Sequence, residues 1–575
     1  MSRHLIEKYR QRHEQETGGE ANPWGGRLTV ALIYPNTYHQ GMSNLGLQTV
    51  YRMLNERDDT LCERFFLPDP EDIEEHRRTG FPLVSIESQR SLSDFDLVAF
   101  SISFENDYLN LPVIFELGHL SLWRNERTER DPLVICGGVC AFLNPEPLAE
   151  IMDFFVVGEA EVTLPQLLEQ LLDAETLTRG ELLDRLSRQA GIYQPGGYDL
   201  RYDDSGVLKS MTPREGLPKQ VARQWQRHLD DSQSRTCVAT PETEFGSMHL
   251  VEVSRGCPRA CRFCAAGFIY RPFREHSVEH LRQEILDTDN AVGRVGLVAA
   301  AVSDYGDLAE IGRDILQQGG EVSVSSVRID AVTAEQIQVL VDAGHKTLAL
   351  APEAGSQRMR DVINKGIDEE QILAAVRLLA EGGIPNLKLY FMIGLPAELD
   401  SDVAAIADLT LKIRQIWQEI GKQVGRLGRL HLSVNPFVPK PWTPLQWAPM
   451  EKRSLLEKKY RLLQKRLRPV ANVELNFESL RHAEIQGLLA RGDRRVGQIL
   501  PLLAGGASLK AACRQTAIDP AFYLHRERGA DELFPWDIIQ QGVNRSHLRE
   551  EYERALSAQP GTVCRPGCSR CGMSC

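Results

Sequence analysis

Val253-Ser-Arg-Gly-Cys-Pro-Arg-Ala-Cys-Arg-Phe-Cys-Ala-Ala-Gly267 continues the apolar stretch His249-Leu-Val-Glu-Val253 and carries three cysteines, Cys257, Cys261 and Cys264, spaced C-x3-C-x2-C. A short strand running into a loop punctuated by glycine and proline can aim several thiolates at one centre while the strand itself stays rigid. Three soft ligands leave one corner of a four-ligand centre open. An iron–sulfur cube held by three cysteines either borrows a fourth ligand or presents an iron to a small molecule. The plainer alternatives are a zinc site short of a ligand and three unrelated thiols. Zinc asks for paired C-x2-C or histidine partners at set spacing, which the neighbouring sequence does not supply.

Around this loop, apolar runs at His249–Val253, Val295–Val302, Val322–Val327, Thr347–Leu350, Leu387–Phe391 and Leu430–Val434 alternate with helical patterns. Six such units predict parallel strands closing part of a barrel, with active-site groups at the strands' carboxyl ends. Upstream, Leu28–Tyr34, Leu97–Ile102, Leu133–Cys136 and Phe154–Val157 alternate with helical patterns in the same way and predict a second, doubly wound parallel sheet. Ligands of such sheets also sit at the carboxyl ends of strands, where Gly41, Gly137, Gly138 and Gly158 fall. The expected organisation is an extension over 1–26, a Rossmann-like α/β domain over 27–170, a bridging segment over 171–246, a partial (β/α)6 core over 247–469, and a small, mostly helical region with a cysteine-rich tail over 470–575.

The chain has 575 residues, 42% apolar and 25% charged, enough for several cores. It shows no apolar run near the roughly 18 residues a membrane span requires. Its start lacks the apolar centre of a signal peptide, so a cytoplasmic location with no membrane partner is expected. In that reducing compartment the 12 cysteines read as ligands or buried thiols. A net charge of −13 argues against whole-surface attraction to nucleic acid. The basic run Lys452–Arg468 has leucines at 455, 456, 462, 463 and 467, so its charges read first as the solvated face of an amphipathic helix, and a local nucleic-acid groove stays open. The tail Cys564-Arg-Pro-Gly-Cys-Ser-Arg-Cys-Gly-Met-Ser-Cys575 brings Cys564, Cys568, Cys571 and Cys575 together, which suits a second [4Fe–4S] cluster, zinc, or a redox tail without metal.

With the aromatic Phe263 before its last cysteine, the C-x3-C-x2-C loop resembles that of the radical S-adenosylmethionine (SAM) superfamily. The later runs Glu353-Ala-Gly-Ser-Gln-Arg358, Ile363-Asn-Lys-Gly366, Phe437–Trp447 and Ala490–Arg495, with Tyr34–Gly46, resemble its members that begin with a B12-binding-type domain. The resemblance implies that Cys257, Cys261 and Cys264 hold a [4Fe–4S] cluster whose open iron chelates SAM, and that one electron cleaves SAM to a 5′-deoxyadenosyl radical. It implies SAM contacts at Phe263, Ser303, Asp304, Ser326, Arg328, Glu353 and Ile393. Ser303 and Asp304 also read as a cap for the helix after Asp307, and Arg255 and Arg259 read as solvated surface or as counter-charges to the cluster.

A cobalamin domain of this type carries its histidine ligand after the first strand. In Asn36-Thr-Tyr-His-Gln-Gly41, Tyr38 stands at that position and His39 is displaced by one. Three options remain: cobalamin without that ligand, a domain that has lost the cofactor, or a substrate domain. The implied partners are an unidentified substrate and an electron donor such as flavodoxin or ferredoxin. Alternative functions are methylthiolation or methylation of an RNA or ribosomal component, and a non-catalytic iron–sulfur scaffold or sensor.

Overall fold

The structure is a computed structural model that describes all residues except 1, 2, 175, 287–292, 325, 326, 424, 426, 562, 563, 565, 566, 574 and 575. Ser326 and Cys575 therefore lie outside the described residues.

The amino-terminal half is built on six strands: β1 (Leu28–Tyr34), β2 (Thr60–Phe66), β3 (Leu97–Ser101), β4 (Leu133–Gly137), β5 (Phe154–Val156) and β6 (Ile192–Tyr193). Their order is β2-β1-β3-β4-β5-β6, parallel except for β6, which runs antiparallel to β5. Side chains of a strand point alternately to the two faces, so a sheet covered on both faces needs continuous apolar runs. Ile33, Val98, Phe100 and Val134 enter one hydrophobic cluster, while Val30, Leu32, Leu97, Ala99 and Leu133 enter another on the opposite face. The first cluster also takes in Trp447, Leu488, Trp536 and Leu548, so the carboxyl-terminal helices pack on the amino-terminal sheet rather than standing apart.

Strand β2 interrupts the apolar rule. Its Glu63 and Arg64 are 1% exposed. Arg64 is held by Glu16 at 2.6 Å and Glu87 at 2.7 Å, and Glu63 accepts from the Trp24 indole at 2.7 Å. Buried charges survive where such partners satisfy them.

The second half contains β7 (His249–Glu252), β8 (Arg294–Val298), β9 (Glu321–Val324), β10 (Thr347–Glu353), β11 (Asn386–Ile393), β12 (Leu430–Pro436) and β13 (Val473–Phe477). All six expected strands form, and β13 adds a seventh. They make two parallel sheets, β7-β8-β9 and β10-β11-β12-β13, with no ladder joining β9 to β10 among the described residues. Both sheets pack on one core, which includes Val251, Leu297 and Val322 from one and Leu348, Leu389 and Leu432 from the other.

The basic segment forms a helix, Arg453–Leu467, with Leu456, Leu463 and Leu467 buried. The leucine pattern errs at Leu455, which is 47% exposed, and Lys459 is buried instead, 2.7 Å from both Glu398 and Glu451. Arg453, Lys458 and Arg466 pair with Glu457, Asp400 and Asp408. Much of that basic face is thus neutralised by neighbouring carboxylates.

Among the described residues no helix is long and apolar enough to cross a membrane.

Candidate functional site

A short antiparallel pairing of Ser254–Arg255 with Arg274–Glu275 closes the base of the cysteine loop just beyond the carboxyl end of β7. At the turn into the loop, Gly256 has φ +87°, and a Cβ there would lie 2.7 Å from the Tyr270 carbonyl oxygen, so only glycine fits. Cys261 is buried, and Cys257 and Cys264 are partly exposed. Burial, with the neighbouring Cys261 and Cys257, pushes the Cys264 thiol up to about 12, against the pull of the Gly267 and Ala266 backbone N–H groups. Burial raises Cys257 as well. Three soft donors on one loop, two with N–H groups beside the sulfur, fit a metal centre that takes thiolates and displaces their protons.

The loop is pinned from the rear by buried polar contacts. Arg262, 0% exposed, pairs with Glu551 at 2.8 Å and donates to the carbonyls of Asp361 and Val362. The Asn364 amide donates to the Ala260 carbonyl at 2.9 Å and accepts from the Gly561 N–H at 2.8 Å. The Phe263 ring packs on the hydrophobic core, leaving its backbone to the loop.

Arg259 and Arg255 are not solvated surface. Arg259 chelates Asp304 at 2.7 and 3.1 Å and reaches Asp330 at 2.9 Å. Arg328 pairs with Asp330 at 2.9 Å, and its N–H donates to Ser303 Oγ at 2.8 Å. The expected residues Ser303, Asp304 and Arg328 thus converge with Arg259 and Asp330. Ser303 and Asp304 do not cap the following helix, Leu308–Gln317, whose N-cap is Asp307. Glu353 ends β10 with φ +65°, a strained backbone for a residue with a side chain, just after a register shift against β11. Burial raises its carboxyl despite Lys365 at 3.4 Å. Ile393 is fully buried in the core, so only its backbone can face a ligand.

A cavity of about 390 Å³ lies between the carboxyl edge of the amino-terminal sheet and the mouth of the cysteine loop. Asn44, Gly46 and Thr49 of the helix Leu45–Asn55 and its cap border it on one side, and Ser254, Arg255, Gly256 and Ala299 on the other. Glu159 and Glu161 join the two halves. Arg255 lies 2.9 Å from Glu159, 2.7 Å from Glu161 and 2.7 Å from Glu252. Arg274 forks onto both Glu159 oxygens at 2.7 and 2.9 Å. Burial pushes the Glu159 carboxyl up, but Arg274 and Arg255 bring it below the ordinary range.

Tyr38, His39 and Gly41 lie in a short helix, Tyr38–Met42, and do not border this cavity. Tyr38 is 2% exposed and donates its hydroxyl to Glu16 at 2.6 Å. Its ring meets Phe66 edge-on at 5.1 Å. His39 is exposed, and Gly41 is packed so closely that a Cβ would lie 2.3 Å from Phe66. Gly138 and Gly158 do border the cavity, whereas Gly137 does not. Their positive φ values of +87° and +133° already have a structural cause, since a Cβ would strike the backbone of Ile102 or Gln224. No histidine borders the cavity among the described residues, so the site does not fit an imidazole-ligated cobalamin.

The described part of the tail docks on the cysteine loop. Cys564, Cys568 and Cys571 line a small cleft with His547, Arg271 and Ala260. Cys571 is 2% exposed, its carbonyl accepts from the Asn544 N–H at 2.7 Å, and Arg570 donates to Cys568 Sγ at 3.4 Å. Sequence reasoning missed Arg262, Glu551 and Arg274 and gave Asn364 no role beyond its place in the run Ile363–Gly366, because their partners lie far away along the chain.

The family model for the N-terminal region of radical SAM proteins matches residues 46–195, and that for the radical SAM superfamily matches residues 251–410. An uncharacterized protein of Methanocaldococcus jannaschii is 28% identical over 84% of this chain and 94% of its own length. An uncharacterized methyltransferase of Pyrococcus horikoshii is 26% identical over 49% of this chain and 58% of its own length. Among solved structures, the radical SAM methyltransferase TsrM from Kitasatospora setae aligns over 92% of this chain and 99% of its own, with 15% identity and a TM-score of 0.47. The cobalamin-dependent radical SAM enzyme OxsB aligns over 67% of this chain and 52% of its own, with 18% identity and a TM-score of 0.43. The cysteine loop at the end of β7 lies inside the second family match, and the two matches together span more than half of the sequence: the chain belongs to the radical SAM superfamily of enzymes.

Proposed function

We propose that Cys257, Cys261 and Cys264 hold a [4Fe–4S] cluster with one open iron and that the chain cleaves SAM reductively to modify a substrate in the adjoining cavity. The observation that carries this reading is the placement of all three cysteines on one hairpin-closed loop whose base borders that cavity. When bound, the cluster supplies the electron that breaks the sulfonium bond of SAM and gives a 5′-deoxyadenosyl radical.

The protein's own groups then have defined tasks. Arg259 and Arg328 fix the Asp304 and Asp330 carboxylates beside the loop, where they can receive the ammonium and ribose hydroxyls of SAM. Glu353, held by Lys365 on strained backbone, offers a further acceptor at the end of β10. The Glu159, Arg255 and Arg274 network locks the cavity's two walls together, which keeps a reacting substrate in register with the loop. In this reading the tail cysteines hold a second metal centre, an iron–sulfur cluster before zinc. The protein works in the reducing cytoplasm with a flavodoxin or ferredoxin as donor.

A second reading, methyl transfer with cobalamin, is favoured by the cavity's position at the carboxyl edge of the amino-terminal sheet, and it requires a corrin with no protein imidazole. An RNA or ribosomal substrate draws little support from the basic helix, where Arg453, Lys458, Lys459 and Arg466 are already paired with carboxylates.

Anaerobic reconstitution followed by a SAM-cleavage assay with dithionite tests the proposal. The expected result is about four iron and four sulfide per SAM-binding cluster, with 5′-deoxyadenosine as product. A reconstituted cluster that neither binds nor cleaves SAM would leave only a scaffold role.

A further inference from the structure

Beside the hairpin that closes the cysteine loop lies a group of polar side chains, most of them buried, that the reading of the SAM site does not use. His276 follows the Arg274–Glu275 arm of the hairpin, and its N–H donates to the Val253 carbonyl at 3.0 Å. Its side chain is 0% exposed, its Nδ1 lies 3.0 Å from Asp230, and its Nε2 is buried without a partner. His280 and Glu284 share one face of the helix Val278–Leu286. The His280 Nε2 lies 3.4 Å from Glu284, yet neither it nor either Glu284 oxygen makes a hydrogen bond. An orphaned polar atom in a buried place is costly, and the His276 Nε2, with no partner of its own, is the one here that most calls for a ligand.

Ligand atoms of Asp230, His276 and His280 all lie within 4.8 Å of one another. We propose that these three side chains bind one divalent transition-metal ion of the borderline class that imidazole and carboxylate favour, with zinc the simplest case. Asp230 is 42% exposed and provides the entry path, while the buried His276 provides the fixed ligand. The two imidazoles stack with centroids 4.5 Å apart and planes 7° apart, so their in-plane lone pairs run parallel and meet at one ion only after one ring turns. A turn of His280 about χ2 brings its nitrogen onto the ion. The site ties the hairpin arm to the 229–231 turn and the helix, and so clamps the far side of the loop that carries Cys257, Cys261 and Cys264.

Zinc K-edge X-ray absorption on the full-length protein, loaded with enough zinc to saturate the tail thiols as well, distinguishes the two kinds of site. With His547→Gln as the common background, because His547 lines the tail cleft, the tail supplies sulfur scatterers and the proposed site supplies imidazole nitrogen with its multiple-scattering pattern. The expected result is a histidine shell that disappears in His280→Gln and in His276→Gln, with at least a tenfold loss of zinc affinity in each. His280 is the more peripheral of the two, so His280→Gln serves if His276→Gln does not fold. A sulfur-only shell in the unmutated protein overturns the site, as does a nitrogen shell or zinc affinity that His280→Gln leaves unchanged.

Discussion

The backbone N–H of Cys564 donates to the carbonyl of Pro258 at 3.3 Å, so the cysteine tail and the C-x3-C-x2-C loop meet backbone to backbone. These residues are more than 300 positions apart, and the contact is reinforced where Asn364 bridges Ala260 to Gly561. A chain truncated before Cys564 should lose about half its iron and sulfide if the tail holds a cluster as large as the first. It should still cleave SAM while failing to modify its substrate. Iron and sulfide analysis of both proteins, reconstituted anaerobically side by side, checks this; equal iron contents would assign the tail to zinc or to no metal.

Cys257→Ala, Cys261→Ala and Cys264→Ala should each abolish SAM cleavage, because the open iron exists only while three thiolates hold the other corners. The fold should survive, since the loop is also held by Arg262, Asn364 and the hairpin. Product analysis by chromatography beside far-ultraviolet circular dichroism separates loss of chemistry from loss of structure. Parent-rate formation of 5′-deoxyadenosine in any of the three would remove those cysteines from the site.

Legibility followed the range of the interactions. Cys257, Cys261 and Cys264 lie within eight positions, so their spacing alone points to a common centre. Strands β1, β3, β4 and β5 show as apolar runs because both their faces are covered. Strand β2 does not, because Glu63 and Arg64 break its run and the carboxylates that make Arg64 tolerable, Glu16 and Glu87, are 48 and 23 residues away. Strand β13, Val473-Glu-Leu-Asn-Phe477, exposes Glu474 and Asn476 at the sheet edge and offers only a weak alternation. Asp230 and His276 are 46 residues apart, so no local pattern announces their pairing. The glycines after β4 and β5 were visible, but sequence could not tell ligand approach from the backbone approach of Ile102 and Gln224.

Asp107 gives a pH test of the amino-terminal domain. Burial pushes its carboxyl up to about 6, partly offset by the Asn36 amide that donates to it at 2.8 Å. A carboxyl raised above its unfolded value of 3.8 favours the protonated fold. Its contribution is therefore complete below pH 3.8 and lost as pH rises through about 6, a loss of up to about 3 kcal/mol at about 1.4 per unit. Asp107→Asn should stabilise the protein at pH 7.5 relative to pH 4.5 when each variant is compared with its parent by urea denaturation. A difference that does not change between the two pH values would show that Asp107 is ionised in the fold across this range.

With Tyr38 tied to Glu16 and His39 exposed, cobalamin added to the protein should bind, if it binds, without a protein nitrogen at its lower face. Electron paramagnetic resonance of the Co(II) form should then lack superhyperfine splitting from a protein nitrogen, and His39→Ala should leave the spectrum unchanged. Splitting that His39→Ala removes would mean that the loop rearranges to bring the displaced histidine to the metal.

Glu159→Gln should be among the most damaging single substitutions outside the cysteine loop. Glu159 is 6% exposed and receives Arg274 through both oxygens, Arg255 at 2.9 Å and the Gln226 N–H at 2.9 Å. The amide keeps the shape but removes the charge, leaving three guanidinium groups, those of Arg274, Arg255 and Arg223 at 3.6 Å, in a largely buried space with too few acceptors. Removing one partner of a buried ion pair costs about 3–5 kcal/mol, and Glu161 and Glu252 recover part of that for Arg255 but not for Arg274. A loss of about 2–4 kcal/mol is therefore expected in denaturant unfolding. Replacing Arg274 with Met in the same chain should recover part of it by removing the stranded cation. Because Glu159 joins the amino-terminal sheet to the loop hairpin, substrate turnover should fall more than uncoupled SAM cleavage. Equal losses in the two assays would show that the network serves stability alone.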